Sequence, residues 1–176
     1  MRMIIKTVLY AFAIIFSSPG YAAVTHSHEK YTTQVNKANA LIQLQIGLLY
    51  EEGIGFPQNY VFARYWFGKA AEQNNADALF YLGYYYMNGI GVNKNEKKGI
   101  DLYRQAAEFG SGDAMNNLGF WMNQKGNTED AILLYLKAIE SGSELALLNL
   151  GGLYREIGSY EKSEELLLMA LNKKKR

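Results

Sequence analysis

The architecture of the chain follows from one segment, LGYYYMNGIGVNKNEKKGIDLYRQAAEFG, residues 82–110. Gly89-Ile90-Gly91, followed by two lysines, resembles a phosphate-binding loop. A dinucleotide fingerprint, however, needs a preceding strand and a third glycine three positions further on, where this chain has Lys94. The residues before Gly89 have helical spacing instead. Because glycine accepts the left-handed conformation at a helix end, the Gly-x-Gly is predicted to turn the chain.

Two series of small residues recur along the chain with a common period. Each member of the first series follows a Leu or Ile, and successive members are 36, 36 and 32 residues apart: Gly47, Gly83, Gly119 and Gly151. The second series has gaps of 36, 32 and 32 and consists of Ala70, Ala106, Ala138 and Ala170. A repeat of this length is the signature of a helical solenoid.

Each repeat reads as two helices. Ala78, Leu82 and Tyr86 are four residues apart, which is helical rather than strand spacing, and they are predicted to form the core face of the first helix. The third and fourth repeats lack the Gly-x-Gly and are four residues shorter between their helices, so that segment is predicted to be a connector. The predicted fold is all-α, a right-handed α-solenoid of about four helix-turn-helix units.

These motifs resemble two related repeat families. Residues 47–74 and 82–110 share L-G-x-x-Y, G-x-G and K-A-A-E-Q features with Sel1-like repeats, whereas residues 117–142 and 149–171 resemble tetratricopeptide repeats. The resemblance covers nearly all of the chain after its N-terminal segment. It implies a scaffold that binds proteins and names no particular partner.

The N-terminal segment is predicted to be a signal peptide, residues 1–22. Two basic residues precede an apolar run from Val8 to Phe16, which is shorter than the roughly 20 apolar residues that span a bilayer. Cleavage is predicted after Ala22, with Ala23 as the alternative. The remaining divisions are a flexible segment 23–38, a repeat domain 39–172 and a basic tail 173–176, and the location expected is the periplasm.

Charge excludes one class of partner. Between Ala23 and Asn172 the chain has 12 basic and 17 acidic residues, a net charge of −5. An acidic body argues against a nucleic-acid surface, which needs a basic patch. The tail Lys173-Lys174-Lys175-Arg176 is read as a helix terminus first, where cations meet the negative end of the dipole, and as a membrane contact second.

The predicted binding surface is the concave side of the solenoid, which the first helix of each pair lines. Positions −3, +1, +4 and +5 from each repeat glycine, with −2 at the margin, point away from that helix's core face. Aromatic side chains beside amides suit a groove for a protein segment. The predicted contact residues are Tyr81, Tyr84, Met87, Asn88, Asn116, Asn117, Phe120, Asn123, Asn149 and Arg155. Trp66 and Trp121 are assigned to packing.

No catalytic residues, cofactor or metal site are predicted. The chain has no cysteine, and its two histidines, His26 and His28, precede the first repeat. His26-x-His28 is read as a linker, with weak metal binding as the alternative. Adjacent acids such as Glu51-Glu52 point about 100° apart on a helix and do not form a catalytic pair.

The expected function is that of a non-catalytic protein-binding module, monomeric when unbound. Its partner is expected to be a protein such as an envelope enzyme or a secreted effector. Two alternatives remain open. One is an immunity protein that neutralises an antibacterial effector such as a phospholipase, and the other is a regulator of a cell-wall enzyme.

Overall fold

A computed structural model describes residues 39–55 and 57–173, and the predicted signal peptide, segment 23–38 and residues 174–176 lie outside that part. The described part contains eight helices and no strand. The helices are α1 Ala40–Glu52, α2 Tyr60–Ala71, α3 Ala76–Asn88, α4 Glu96–Glu108, α5 Gly112–Gln124, α6 Thr128–Glu140, α7 Glu144–Glu156 and α8 Tyr160–Lys173. Each helix packs against its neighbours in sequence, and α5 also contacts α7. The predicted all-α solenoid of four helix pairs is confirmed.

The helix ends follow from local side-chain chemistry. Asparagine precedes α1, α2, α3 and α4, and its side-chain oxygen accepts hydrogen bonds from backbone N–H groups of the first turn. Helices α1 and α3 end at Gly53 and Gly89, which have φ of 72° and 75°. These left-handed residues confirm that the Gly-x-Gly segments turn the chain.

Within each unit the repeat glycine receives a large side chain from the second helix. A Cβ added at Gly83 would lie 2.6 Å from Cδ1 of Tyr103, which shows how closely the ring lies against the helix backbone. The same contact joins Gly47 to Phe67, Gly119 to Tyr135 and Gly151 to Leu167. Glycine at these positions therefore makes room for a ring or a leucine.

One backbone hydrogen bond keeps the two helices of every unit in register. The N–H of Asn95, which precedes α4, donates to the carbonyl of Tyr86 at 2.8 Å, and the N–H of Ser159 before α8 donates to the carbonyl of Tyr154 at 2.8 Å. The first and third units have the same bond. The connector prediction is thus supported, since four extra residues leave this bond unchanged. The longer loop also packs, because Ile90 and Val92 lie against the core that the first two units share.

The predicted core register needs one correction. Ala78 and Leu82 are buried as expected, but Tyr86 is only half-buried, and the fully buried tyrosine of α3 is its neighbour Tyr85. Tyr86 lies at the edge of the helix pair, where Lys98 Nζ sits 4.2 Å from its ring centroid and donates to its hydroxyl at 2.9 Å. Trp66 is buried, so its assignment to packing is confirmed.

The second small-residue series lies where one repeat meets the next. Ala70, Ala106 and Ala138 are completely buried, whereas Ala170 is half-buried because α8 is the last described helix. Leu167 is 36% exposed for the same reason, although the equivalent Tyr103 is 2% exposed. Burial therefore declines at the C-terminal end of the array.

Candidate protein-binding face

Two exposed aromatic rings mark the outer side of the first helices. Tyr84 in α3 and Phe120 in α5 each directly follow a repeat glycine, and they are 41% and 53% exposed. Half-buried Asn123 lies one helical turn beyond Phe120, whereas Met87, also predicted as a contact residue, packs instead between α3 and α4 against the core of the second and third units. We call the outer surface of α1, α3 and α5 around these residues the first-helix face. It unites four of the predicted contact residues, the fourth being Asn88.

Asn88 uses its amide within its own helix. Its Nδ2 donates to the backbone carbonyl of Tyr84 at 2.9 Å, and the side chain is exposed in the last turn of α3. This bond ties the Asn88 amide to the backbone of α3 one turn back along the helix.

A layer of stacked rings supports the first-helix face. Tyr81 stacks on Phe67 of the preceding unit, with ring centroids 4.8 Å apart and an interplanar angle of 15°. Phe80 stacks on Tyr103 at 5.8 Å and 25° and meets Tyr81 edge-on at 5.4 Å. Because these rings are held on both sides, the surface above them loses little side-chain freedom when a partner binds.

The predicted asparagines form a chain of hydrogen bonds between repeats. Asn149 Nδ2 donates to Asn116 Oδ1 at 2.8 Å, Asn116 Nδ2 donates to Asn117 Oδ1 at 3.4 Å, and Asn117 Nδ2 donates to the Tyr103 hydroxyl at 3.1 Å. Asn116 is 4% exposed, so it holds its neighbours and does not present an amide to solvent. Asn117 and Asn149 are half-buried and keep part of their surface on the face.

The residue two positions before each repeat glycine thus contacts the preceding repeat, and the type of contact differs from one repeat to the next. In the second unit the joint is the Tyr81 ring on Phe67, in the third it is the Asn117 amide on Tyr103, and in the fourth it is Asn149 on Asn116. Burial raises the pKa of Tyr103 to about 12, against the smaller opposing effect of Asn117, so the hydroxyl stays neutral and accepts this bond.

The first unit contributes carboxylates to the first-helix face. Glu51 is half-buried and accepts a hydrogen bond from the Tyr85 hydroxyl at 3.1 Å. Burial raises the pKa of Glu51 above its ordinary value, the Tyr85 hydrogen bond opposes that shift, and the charge of Glu52 adds to it.

In the fourth unit Gly152 occupies the position of Tyr84 and Phe120, and Arg155 is exposed in the last turn of α7. At this position of the first helices, exposed rings therefore occur in the second and third units.

The buried rings that face the repeat glycines were not among the predicted structural residues. Phe67, Tyr103 and Tyr135 precede the second series of small residues, Ala70, Ala106 and Ala138, by three positions in every case. The same period that revealed the glycines could have revealed them.

Trp121 packs against the core of the second and third units and donates from Nε1 to Glu96 Oε1 at 2.9 Å.

No group of three or more His, Cys, Asp or Glu side chains is arranged to hold a metal within residues 39–55 and 57–173. His26 and His28 lie outside the described residues. None of the described helices combines the length and apolar character needed to cross a membrane.

Comparison with known families identifies the repeats. Residues 42–75 and 76–111 each match the model of the Sel1 repeat, and residues 112–146 match a model of the tetratricopeptide repeat. The chain belongs to the Sel1-like repeat family. This confirms the resemblance seen in its motifs. Sel1 repeats generally mediate protein–protein interactions, and proteins built from them are typically non-catalytic scaffolds.

Solved structures of Sel1-repeat proteins have the same fold. One is c5321 of uropathogenic Escherichia coli, described as a protective antigen; it is 33% identical with a TM-score of 0.74 over 81% of this chain and 32% of c5321. Another is a Sel1 repeat protein from Oxalobacter formigenes, 32% identical with a TM-score of 0.65 over 77% of this chain and 57% of that protein. The chain therefore spans about a third and somewhat more than half of these relatives.

A more distant likeness shows the fold alone. A structure of MamA matches with 21% identity and a TM-score of 0.55 over 83% of this chain and 84% of MamA. No curated protein sequence matches the chain significantly.

Proposed function

We propose that this Sel1-repeat protein is a non-catalytic, periplasmic binding module that holds a partner protein against the concave side of the array, on the first-helix face. The observation that carries the proposal is the pair of exposed rings, Tyr84 and Phe120, at the same position of two successive repeats. Exposed large aromatic residues on a rigid support are the usual centre of a protein interface. The apolar N-terminal segment supports export to the periplasm.

Immunity to a secreted effector is the second candidate. A protein that blocks an enzyme active site needs one dedicated partner and a surface of complementary charge. The net charge of −5 between Ala23 and Asn172 fits a basic target such as the surface around a phospholipase active site. A general envelope adaptor does not need to inhibit its partner, so the activity of the captured partner separates the two functions.

The test is an affinity capture with the full chain, exported with its own N-terminal segment and tagged at the C-terminus. Tyr84→Ala with Phe120→Ala is compared with Tyr65→Ala with Leu133→Ala. The control residues, Tyr65 and Leu133, are 42% and 58% exposed and lie on the second helices α2 and α6. The extracts come from the cell envelope and from cells that express the neighbouring genes.

We expect a stoichiometric partner that the control variant retains and the Tyr84/Phe120 variant binds at least about 30-fold more weakly, as for a pair of central interface residues. Both variants should unfold at nearly the wild-type temperature. Equal binding by wild type and the Tyr84/Phe120 variant would refute the first-helix face as the binding surface. An effector as the captured partner, inhibited on binding, would favour immunity over the adaptor function.

A further inference from the structure

Charge is distributed unevenly between the two sets of helices. The first helices α1, α3, α5 and α7 together have six acidic residues and one basic residue, Arg155. The second helices α2, α4, α6 and α8 have nine acidic and eight basic residues. The first helices therefore have a net charge of −5 and the second helices one of −1, so most of the negative charge of the described helices lies on the first helices.

Four of these carboxylates act electrostatically on one tyrosine of α3, Tyr81. The pKa of Tyr81 is raised first by burial and then by the negative charges of Glu51, Asp77, Glu52 and Asp113, which come from three successive first helices. Glu52, Asp77 and Asp113 are exposed. Asp113 also accepts a hydrogen bond from Ser143 Oγ at 2.8 Å, which fixes its carboxylate between α5 and the start of α7.

No cation of residues 39–55 and 57–173 forms an ion pair with this group. Within the described residues, the ion pairs are Lys69–Glu72, Arg104–Asp101 and Lys125–Glu96, and none of them includes one of the four carboxylates. Two lysines of the second helices lie over other rings. Lys98 stands 4.2 Å from the ring centroid of Tyr86, and Lys162 stands 5.2 Å from that of Tyr154.

The exposed rings are available to a cation from outside. Among the described residues neither Tyr84 nor Phe120 is paired with another ring or with a cation. An Arg or Lys side chain placed over such a ring gains a cation–π attraction, and a nearby carboxylate adds to it. A basic side chain therefore satisfies two features of this face at once, whereas an acidic one meets repulsion from the carboxylates.

We propose that the first-helix face recognises a basic segment of its partner protein, with the apolar part of that segment on Tyr84 and Phe120 and its Arg or Lys cations directed to Glu52, Asp77 and Asp113. The proposal rests on the proposed function, because it uses the same face. It adds the chemistry of the partner, which complementary charge selects.

The test is a selection of peptides from a random 12-residue display library on the full chain, followed by binding measurements with the selected peptides made synthetically. The acid variant combines Glu52→Gln, Asp77→Asn and Asp113→Asn. The matched control combines Glu108→Gln, Glu140→Gln and Glu165→Gln, three exposed acids of α4, α6 and α8. Both variants lose the same three charges, and thermal unfolding checks that both are folded.

We expect selected peptides to be enriched in Arg and Lys, and to bind the acid variant roughly tenfold more weakly than wild type at low salt. The control should lose less than about twofold, and the difference should shrink as salt rises. Basic peptides that bind both variants equally weakly would overturn the proposal, since overall charge would then explain the binding. A selection that enriches no peptide would also overturn it, because a basic linear segment is what the face is proposed to take.

The Tyr84→Ala with Phe120→Ala variant separates this proposal from the proposed function. Peptides without basic enrichment that lose affinity for this variant would overturn the basic partner and support the face itself. Peptides that bind wild type and this variant equally would overturn both.

Discussion

The two Sel1 units and the two units that follow them build the same helix pair in different ways. In the first two units a ring lies so close to the repeat glycine that an added Cβ would come within 2.5 Å of Phe67 or 2.6 Å of Tyr103. The distance grows to 3.0 Å at Tyr135 and to 3.2 Å at Leu167. The joints between repeats change in parallel, from stacked rings to amides. The repeat thus tolerates different side chains as long as the helix spacing and the backbone bond at the loop are kept.

The two halves should differ most in the stability that is lost when the side chains facing the repeat glycines are truncated to alanine. Phe67→Ala removes a completely buried ring and should lower the free energy of unfolding by about 3–5 kcal/mol. Leu167→Ala, at a position 36% exposed, should cost about 1 kcal/mol. Urea unfolding of both variants measures this, and equal losses would contradict the gradient in packing.

Adding a methyl group to the glycines tests the same gradient from the opposite side. Gly83→Ala places a Cβ against the Tyr103 ring and should destabilise by about 1–3 kcal/mol. Gly151→Ala meets Leu167 at 3.2 Å, where a flexible side chain gives way, and alanine favours the helix by up to about 1 kcal/mol. Thermal unfolding should show a fall for Gly83→Ala and no fall for Gly151→Ala. A loss at Gly151 as large as that at Gly83 would show that the fourth unit is as tightly packed as the second.

Removal of the hydrogen bond between Asn149 and Asn116, which joins the third and fourth repeats, should have an intermediate effect on stability. Asn149→Ala leaves the buried Oδ1 of Asn116 without its donor at 2.8 Å and should cost about 1–2 kcal/mol. Asn123→Ala is the control, a half-buried asparagine near the end of α5 that should change stability by less than about 0.5 kcal/mol. Chemical unfolding compares the two, and the joint is not structural if both changes are equally small.

The smallest expected effect on stability comes from Glu51 and depends on pH. Burial raises the pKa of Glu51, so the folded protein holds this proton more tightly than the unfolded chain does. The stability that the proton contributes is present below the unfolded pKa and is lost as pH rises through the folded pKa. Glu51→Gln keeps an acceptor for the Tyr85 hydroxyl and removes the charge. At pH 7 it should therefore be more stable than wild type by less than about 1 kcal/mol, because the group is half-exposed.

Unfolding at pH 4 and pH 7 measures this difference. The advantage of Glu51→Gln should be larger at pH 7. An advantage that is larger at pH 4 would mean that the carboxylate is stabilised by folding.

The sequence predicts the period, the helix pairs and the turns because glycine and alanine are required wherever backbones approach closely. It does not separate Tyr85 from Tyr86. The two are the same residue type about 100° apart on α3, and only the way the preceding unit packs on α3 decides which is buried: Tyr85 meets Phe67 of α2, with ring centroids 5.6 Å apart.

The asparagines show a second limit. Asn116 and Asn149 are 33 positions apart, and both occupy registers that point away from the core face of their own helix. Their hydrogen bond depends on how one repeat rotates onto the next, which the pattern within a single repeat does not contain. The exposed rings of Tyr84 and Phe120 were predicted correctly as outward-facing because they depend only on the geometry of one helix. That they contact a partner stays a prediction.

Photo-crosslinking in living cells tests the central proposal most directly. A photoreactive phenylalanine analogue is placed at position 84 on the first-helix face or, as the matched control, at position 65 on α2, where a tyrosine is equally exposed. If the first-helix face binds the partner, irradiation yields a discrete cross-linked protein from position 84 and none from position 65. A product from position 65 with none from position 84 would place the partner on the second helices and contradict the account.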